Sequence, residues 1–261
     1  MDNTQKVTLE DLVALMATLR GENGCPWDKK QTKATIKPYI IEETYEVAEA
    51  VDEDDPNLLR EELGDLLFEI VFYAQMMTEE DGIDIYDIIA GIHAKMIRRH
   101  PHIFGDVSVS GADEVVVNWE QIKQEEKKDT RNSVLEGVPK NLPSLLRAHR
   151  LQSKASNVGF QWENFQQIIE KLDEEFYELR HAYKSGDAEN IEEEFGDMLF
   201  VMVSVARFLK INPDNALQRA IKKFTTRFQH IEQRVKAAQR QWSDMSVHEM
   251  EQLWEQAKRD K

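Results

Sequence analysis

Residues 173–197, DEEFYELRHAYKSGDAENIEEEFGD, contain the pattern from which the fold can be predicted. Residues 41–65, IEETYEVAEAVDEDDPNLLREELGD, have the same arrangement. In both stretches a Glu-Glu-x-x-Glu run is followed, across a polar turn, by Glu-x-x-Asp. Every acidic position of the pattern keeps one offset of 132 residues (for example 197 minus 65), which pairs Glu42, Glu43, Glu46, Glu62 and Asp65 with Glu174, Glu175, Glu178, Glu194 and Asp197. The chain therefore contains one structural unit twice.

The spacing of these acids predicts helices. Positions three and four apart lie on one face of an α-helix, and the turn segments EDDPN and SGDAEN separate the two acidic helices of each copy. We expect each pair to form an antiparallel helical hairpin. A helix before a tryptophan, Trp27 or Trp162, and one or two later basic helices complete a predicted unit of four or five helices.

Composition favours the same fold class. The 261 residues include only 11 glycines and 7 prolines, and the 41% hydrophobic content is interspersed with 31% charged residues, as in helices with one buried face. We predict an all-α protein of two tandem domains, residues 1–125 and 144–261. Residues 126–143 are polar, hold two prolines and show no helical period, so they are the predicted linker.

Net charge limits the classes of partner. A formal charge of -16 repels nucleic acid, and a small anionic substrate could approach this chain only together with cations. Cys25 is the single cysteine, so no internal disulfide framework exists. Residues 1–12 lack the basic start and apolar core of a secretion signal, and no apolar run approaches the roughly 20 residues of a membrane span. We expect a cytoplasmic protein that binds neither nucleic acid nor membrane.

The acidic residues predict a metal site. Around Glu194 and Asp197 the sequence is apolar on nearly every side, which is typical of a buried helix. Buried carboxylates that face one another require a cation or basic partners. Carboxylate oxygens suit Mg²⁺ or Mn²⁺, and Mg²⁺ prefers a few carboxylates together with waters and substrate phosphates. The pattern therefore predicts a phosphate substrate.

Basic and aromatic residues repeat downstream of the acids. Lys223 and Arg227 lie one helical turn apart, and so do Trp254 and Lys258; the counterparts in the first copy are Lys95, Arg99, Trp119 and Lys123. Such lysines and arginines either bind phosphate oxygens or are ordinary surface charges, and the tryptophans either stack on a base or pack in the core. For Trp27 and Trp162 packing is the favoured interpretation, and His100 and His102 are interpreted as loop residues.

Together these features resemble the MazG family of nucleoside triphosphate pyrophosphohydrolases, in its two-domain form. Besides the repeated acids, the marks are GCPWDKKQT at residues 24–32 and RRHPHIFGD at residues 98–106. The resemblance implies an all-α bundle completed by dimerisation. It also implies Mg²⁺-dependent hydrolysis of a nucleoside triphosphate between its α- and β-phosphates, which yields a monophosphate and pyrophosphate.

The resemblance also assigns roles to residues. It implies that Glu174, Glu175, Glu178, Glu194 and Asp197 bind metal and take part in catalysis, that Lys223, Arg227 and Lys258 neutralise the phosphates, and that Trp254 contacts the base or sugar. The first copy has a counterpart for each. We favour the second copy as the working site because Val201 stands where the first copy has Glu69, which makes a drier wall.

Two other functions are compatible with the pattern. A ferritin-like di-metal oxidoreductase also uses glutamates inside a helical bundle, but it expects Glu-x-x-His on two helices, and only Glu178 with His181 fits. A nucleotide-binding regulator or assembly module would hold the metal and the nucleotide without turnover. Binding without product release would distinguish that case.

Overall fold

The computed structural model describes residues 6–126 and 132–259, and all regular structure in these ranges is helical. This confirms the all-α prediction. Contacts divide the chain into two units, Met1–Ile122 and Lys123–Lys261. The predicted domain boundaries remain a prediction, because residues 127–131 of the predicted linker 126–143 lie outside the described residues. None of the described helices has both the length and the apolar character needed to cross a membrane.

In the first unit the described residues form five α-helices of more than ten residues, one single-turn α-helix and a 3₁₀ helix at Asp28–Lys30. The α-helices are α1 (Leu9–Arg20), α2 (Lys33–Glu53), α3 (Pro56–Asp81), α4 (Ile85–Arg99), the short α5 (Pro101–Phe104) and α6 (Ala112–Glu125), whose last residues belong to the second unit. The second unit repeats the order with α7 (Ser144–Ser156), α8 (Phe165–Ser185), α9 (Ala188–Phe208), α10 (Pro213–Ala237) and α11 (Val247–Ala257). Each unit thus has five helices of more than ten residues, and the first unit has the short α5 in addition to the four or five helices predicted.

The two acidic hairpins, α2 with α3 and α8 with α9, are the centre of each unit. Their turns place a positive-φ residue before an aspartate N-cap: Asp54 (φ 56°) before Asp55, and Gly186 (φ 75°) before Asp187. The Asp187 carboxylate accepts hydrogen bonds from the backbone N–H groups of Glu189 and Asn190 at 3.1 and 3.3 Å. These caps satisfy N–H groups that a helix start leaves without partners, so they fix where the second acidic helix begins.

Each unit has its own apolar core. The first is centred on buried side chains from α1, α2 and α3: Met16, Ile36, Val71, Phe72 and Met76. In the second unit one buried cluster joins α10 to α11 through Ile231, Val235 and Ala257, with Trp254 packed against it. Ile168 of α8 and Val203 of α9 are buried as well. The acidic hairpins are thus held by apolar packing on one side.

The helix that carries Glu194 and Asp197 was predicted to be buried, and the structure confirms this for one of its sides only. Val201, Val203 and Ser204 are buried, but Phe195 and Met202 are 49% and 47% exposed in the single chain. The reason is that α7 and α8 pack against one side of α9, whereas its other apolar side remains open. Trp27 also departs from its predicted packing role, since it is 51% exposed and contacts Tyr39 edge to face.

Candidate functional site

Three carboxylates of the second unit meet between α8 and α9. Glu175 comes from α8, and Glu194 and Asp197 lie one turn apart on α9. One oxygen of each lies within 4.8 Å of the others. Glu175 is only 4% exposed, whereas Asp197 is open to solvent. The arrangement therefore combines a buried wall with an open side through which a ligand can approach.

The charges in this cluster repel one another. Partial burial raises the pKa of Glu194, and the nearby carboxylates of Glu178, Glu175 and Asp197 raise it further. Glu178 is therefore close enough for its charge to act on Glu194, but the group of oxygens within 4.8 Å of one another does not include it. Like charges held this close favour either protonation or a bound cation. Oxygen-only donors fit Mg²⁺ or Mn²⁺, so the residues present suit the predicted metal.

Glu174, the fifth predicted acid, is placed differently. Its side chain is 56% exposed and forms an ion pair with Lys171 at 2.9 Å. Lys171 also pairs with Glu175 at 2.9 Å, and these two hydrogen bonds raise the pKa of the lysine. One ammonium group thus holds the buried glutamate in position from the side of the helix.

The first unit has an equivalent cluster. Glu43, Glu62 and Asp65 also bring one oxygen each within 4.8 Å of the others, and Glu46 lies close enough to affect the pKa of Glu43. Burial, together with the charges of Glu46, Asp65 and Glu62, raises the pKa of Glu43 to about 7. Glu42, like Glu174, is exposed. Tyr39 stands where the second unit has Lys171, so this cluster lacks the matching lysine.

A cavity of about 580 Å³ adjoins the acids of the second unit. Glu175, Asp197 and Lys171 belong to its lining, and its walls are otherwise largely apolar, including Phe160, Trp162, Phe200 and Val201. Val201, at the position of the predicted drier wall, is 6% exposed and lines this cavity. Its counterpart Glu69 has a buried Oε2 with no hydrogen-bond partner, and burial raises the pKa of that glutamate.

Two of the three predicted phosphate-binding residues line a second cavity. Lys223 and Arg227 lie on α10 in a basic pocket, also of about 580 Å³, whose lining does not include the acidic cluster. The Arg227 guanidinium lies 5.8 Å from the ring centre of Trp254, and Lys258 forms an ion pair with Glu255. Because α10 packs against α7 and α9, this pocket belongs to the same helical framework as the acids.

The corresponding residues of the first sequence copy lie on α4 and α6. Lys95 and Arg99 are half-buried at the end of α4, and Trp119 and Lys123 are half-buried on α6. The ring of Trp119 contacts His100 edge to face, with 5.2 Å between ring centres. His100, which begins the short helix α5, thus has a packing role here.

Four residues near the acids were not predicted: Gln152, Lys171, Ser204 and Arg207. All four line the cavity beside Glu175 and Asp197. Lys171 has a signal in the sequence, because it precedes Glu175 by four residues on a predicted helix. Gln152 has no such signal, since its contact with α9 spans 48 residues of chain.

The ferritin-like alternative finds no support in this geometry. In the described part of the chain both acidic clusters consist of carboxylates alone. His181, which that alternative requires, is exposed, and its ring nitrogen is hydrogen-bonded to the hydroxyl of Tyr177 at 2.8 Å.

Comparison with known proteins agrees with the repeat. A model of the MazG nucleotide pyrophosphohydrolase domain matches the chain twice, at residues 31–104 and 163–232. Each match contains one acidic hairpin. More than half of the chain is matched in this way.

Curated relatives cover nearly the whole chain. The chain is 46% identical over 257 residues to the nucleoside triphosphate pyrophosphohydrolase of Escherichia coli (strain K12), covering 96% of this chain and 97% of that protein. It is 40% identical over 252 residues to the nucleoside triphosphate pyrophosphohydrolase/pyrophosphatase MazG of Thermotoga maritima, covering 97% and 96%. A third relative, the Bacillus subtilis protein named uncharacterized protein YabN, is 47% identical over 94% of this chain and half of its own length.

Proposed function

Because the chain belongs to the MazG nucleotide pyrophosphohydrolase family, we propose that it hydrolyses nucleoside triphosphates between the α- and β-phosphates. The products are a nucleoside monophosphate and pyrophosphate. The observation that carries this proposal is the convergence of Glu175, Glu194 and Asp197 beside a cavity large enough for a nucleoside.

The reaction depends on Mg²⁺, with Mn²⁺ as a substitute. Glu175, Glu178, Glu194 and Asp197 would hold the metal, which when bound supplies charge neutralisation and polarisation of the phosphate oxygens. Glu174 is exposed and supports the site through Lys171. The raised pKa of Glu194, caused by burial and by the neighbouring carboxylates, supports this assignment, because a bound cation would offset that repulsion.

The chain's own residues supply positioning and proton transfer. Lys171 fixes the carboxylate of Glu175. A carboxylate of the cluster accepts the proton of the attacking water. Lys223, Arg227 and Lys258 neutralise the triphosphate and the departing pyrophosphate, and Trp254 contacts the base or the sugar. Positioning and charge stabilisation of this kind are the main sources of catalysis in phosphoryl transfer.

The second unit is the proposed working site. Its cluster has the lysine that the first unit replaces with Tyr39, and its wall has Val201 in place of Glu69. A carboxylate with a buried oxygen that lacks a hydrogen bond, as in Glu69, disfavours an additional anion nearby.

We propose that the protein works as a homodimer. Large apolar side chains of α9 that a single chain leaves exposed, such as Phe195, Leu199 and Met202, support this proposal. Large apolar side chains that are exposed together on one helix usually mark an interface with another molecule. Light scattering coupled to gel filtration should give twice the mass of the chain.

The activity is tested by incubating the full chain with ATP, GTP, CTP and UTP, with and without Mg²⁺, and separating the products by anion-exchange chromatography. Monophosphate and pyrophosphate are expected only with the metal. Diphosphate and phosphate would contradict the α–β assignment. Equilibrium binding without products would instead support the alternative function, a nucleotide-binding regulator or assembly module.

A further inference from the structure

The cavity of the second unit extends along one face of α9. Its lining takes residues from α9 at steps of three or four: Asp197, Phe200 or Val201, Ser204 and Arg207. Ten residues of α-helix span about 15 Å, so the cavity leads from the acidic cluster to a far end at Arg207. A nucleotide with its phosphates at the acids would therefore lie along this face.

Gln152 presents an unsatisfied polar group in this cavity. The side chain, on α7, is 9% exposed, and its Nε2 donates a hydrogen bond of 2.8 Å to the backbone carbonyl of Phe200. Its Oε1 is buried and has no hydrogen-bond partner. Because the Nε2 donor fixes the orientation of the carboxamide, Oε1 remains an acceptor. Buried acceptors without partners are rare in folded proteins, and a ligand that donates a hydrogen bond would satisfy this one.

The position of this carboxamide corresponds to the base of a nucleotide. In an α-helix the carbonyl of residue 200 points toward residue 204, so the carboxamide bonded to it lies near the level of Ser204. Ser204 is two helical turns beyond Asp197, or about 10 Å along the axis. That distance fits the separation between a phosphate held at the acids and the hydrogen-bonding edge of the attached base.

The first unit differs at the residue that keeps this space open. Ser204 is buried, with 6% exposure, and its counterpart at the offset of 132 is Phe72. The ring of Phe72 is 1% exposed and packs in the core with Met16 and Ile36. A phenyl ring therefore stands where the second unit has a hydroxymethyl group. The two acidic clusters are alike, but their surroundings at the level of the base are not.

We propose that Gln152 determines which base the enzyme accepts, with its Oε1 accepting a hydrogen bond from a base N–H group in a cavity that Ser204 keeps open. This inference rests on the proposed function, since the same nucleotide must place its triphosphate at the acidic cluster. With the base at Gln152, the proposed contact of Trp254 is with the sugar. Arg207, whose buried Nε also lacks an acceptor, lies at the far end of the cavity and faces the remaining edge of the base.

The test pairs substrates with variants of the full chain. The value of kcat/KM is measured for the preferred nucleotide and for its methylated analogue without the relevant N–H: N1-methyl-GTP, N3-methyl-UTP, N6,N6-dimethyl-ATP or N4,N4-dimethyl-CTP. The wild type should disfavour the analogue by at least about tenfold. In Gln152→Leu this discrimination should shrink to less than about threefold. Gln166→Leu, which alters an exposed glutamine of α8 outside the cavity, should keep the wild-type ratio.

A second variant addresses the cavity itself. Ser204→Phe introduces the side chain that the first unit has at the equivalent position, Phe72. We expect it to lower the ratio of kcat/KM for the nucleotide to that for methyl triphosphate, which has no base, by at least about tenfold. A ratio unchanged in a folded Ser204→Phe variant would overturn the assignment of this cavity to the base.

The other outcomes are equally decisive. Undiminished discrimination in Gln152→Leu would show that other walls reject the methyl groups and would overturn the role of Gln152. A loss of kcat/KM in Gln152→Leu that disappears with 3′-deoxynucleotides would assign the glutamine to the sugar and contradict base selection. If the wild type releases no pyrophosphate from any nucleotide, the proposed function fails. The same substrate pairs, measured by calorimetric binding, would then decide the role of Gln152 separately.

Discussion

At the scale of single residues, the two adjacent glutamates of each Glu-Glu-x-x-Glu run differ in their environment. Glu175 is buried in the acidic cluster, whereas Glu174 is exposed on the helix surface, and Lys171 joins the two. Neighbouring residues of an α-helix point about 100° apart. The sequence pattern alone therefore does not distinguish the two glutamates, although only Glu175 faces the second acidic helix.

This difference can be measured by replacing each glutamate with glutamine. Glu175→Gln should lower kcat/KM by on the order of 100-fold, because it removes a charged ligand from the cluster. Glu174→Gln should lower it by less than about tenfold, since Lys171 retains its bond to Glu175. Equal losses in the two variants would show that Glu174 also contacts the metal or the substrate.

The acids of the first unit predict a pH dependence of stability in the absence of metal. The pKa of Glu43 is raised from 4.5 to about 7, so the folded state binds more protons than the unfolded state between these values. The free energy of unfolding should therefore fall as the pH rises from about 4.5 to about 7. Urea unfolding in the presence of a chelator should show this fall, and Glu43→Gln should reduce it.

A divalent cation provides the control for this effect. With Mg²⁺ in excess, the charge of Glu43 and its neighbours is compensated. The free energy of unfolding of the wild type should then fall less as the pH rises. A decline that is unchanged in Glu43→Gln would place its origin in other groups of the chain.

At the scale of helices, the hairpins were predictable and their contacts were not. The turn residues Asp54–Asp55 and Gly186–Asp187 carry local signals, because positive φ angles favour glycine, asparagine or aspartate, and aspartate caps helices. The cavity beside the second cluster depends on Gln152 and Ser204, which belong to different helices. Their proximity arises from packing between α7 and α9, which no spacing along the chain encodes.

The caps give a prediction about stability. Asp187→Ala removes the acceptor for two backbone N–H groups at the start of α9 and should lower the free energy of unfolding by about 1 kcal/mol. Asp55→Ala removes the equivalent cap of α3, where its carboxylate accepts hydrogen bonds of 2.8 and 3.3 Å. Urea unfolding of both variants should show similar losses, and Asp187→Asn should retain most of the stability. A negligible loss in both would mean that tertiary packing alone fixes these helix starts.

At the scale of the whole chain, duplication produced two acidic clusters in different surroundings. The sequence repeat predicts both clusters correctly, because the acids keep their spacing on the same two helices. It does not predict the cavity beside the second cluster, because the decisive exchanges lie outside the repeated acids: Tyr39 for Lys171 before them and Phe72 for Ser204 after them. Apolar and aromatic substitutions of that kind leave the acidic pattern intact while they change the space around it.

The division of roles between the units is tested by one aspartate from each cluster. Asp197→Ala should abolish most Mg²⁺-dependent turnover and leave the helical content unchanged, because it removes a metal ligand and also relieves repulsion within the cluster. Asp65→Ala makes the same change in the first unit and should retain at least about half of the wild-type rate. Product analysis by anion exchange and circular dichroism of both variants provide the measurements. Wild-type rates in Asp197→Ala, with a loss in Asp65→Ala, would reverse the assignment. Comparable losses in both would require that the two clusters act together, in which case the filled space around Phe72 would not prevent the first unit from contributing to turnover.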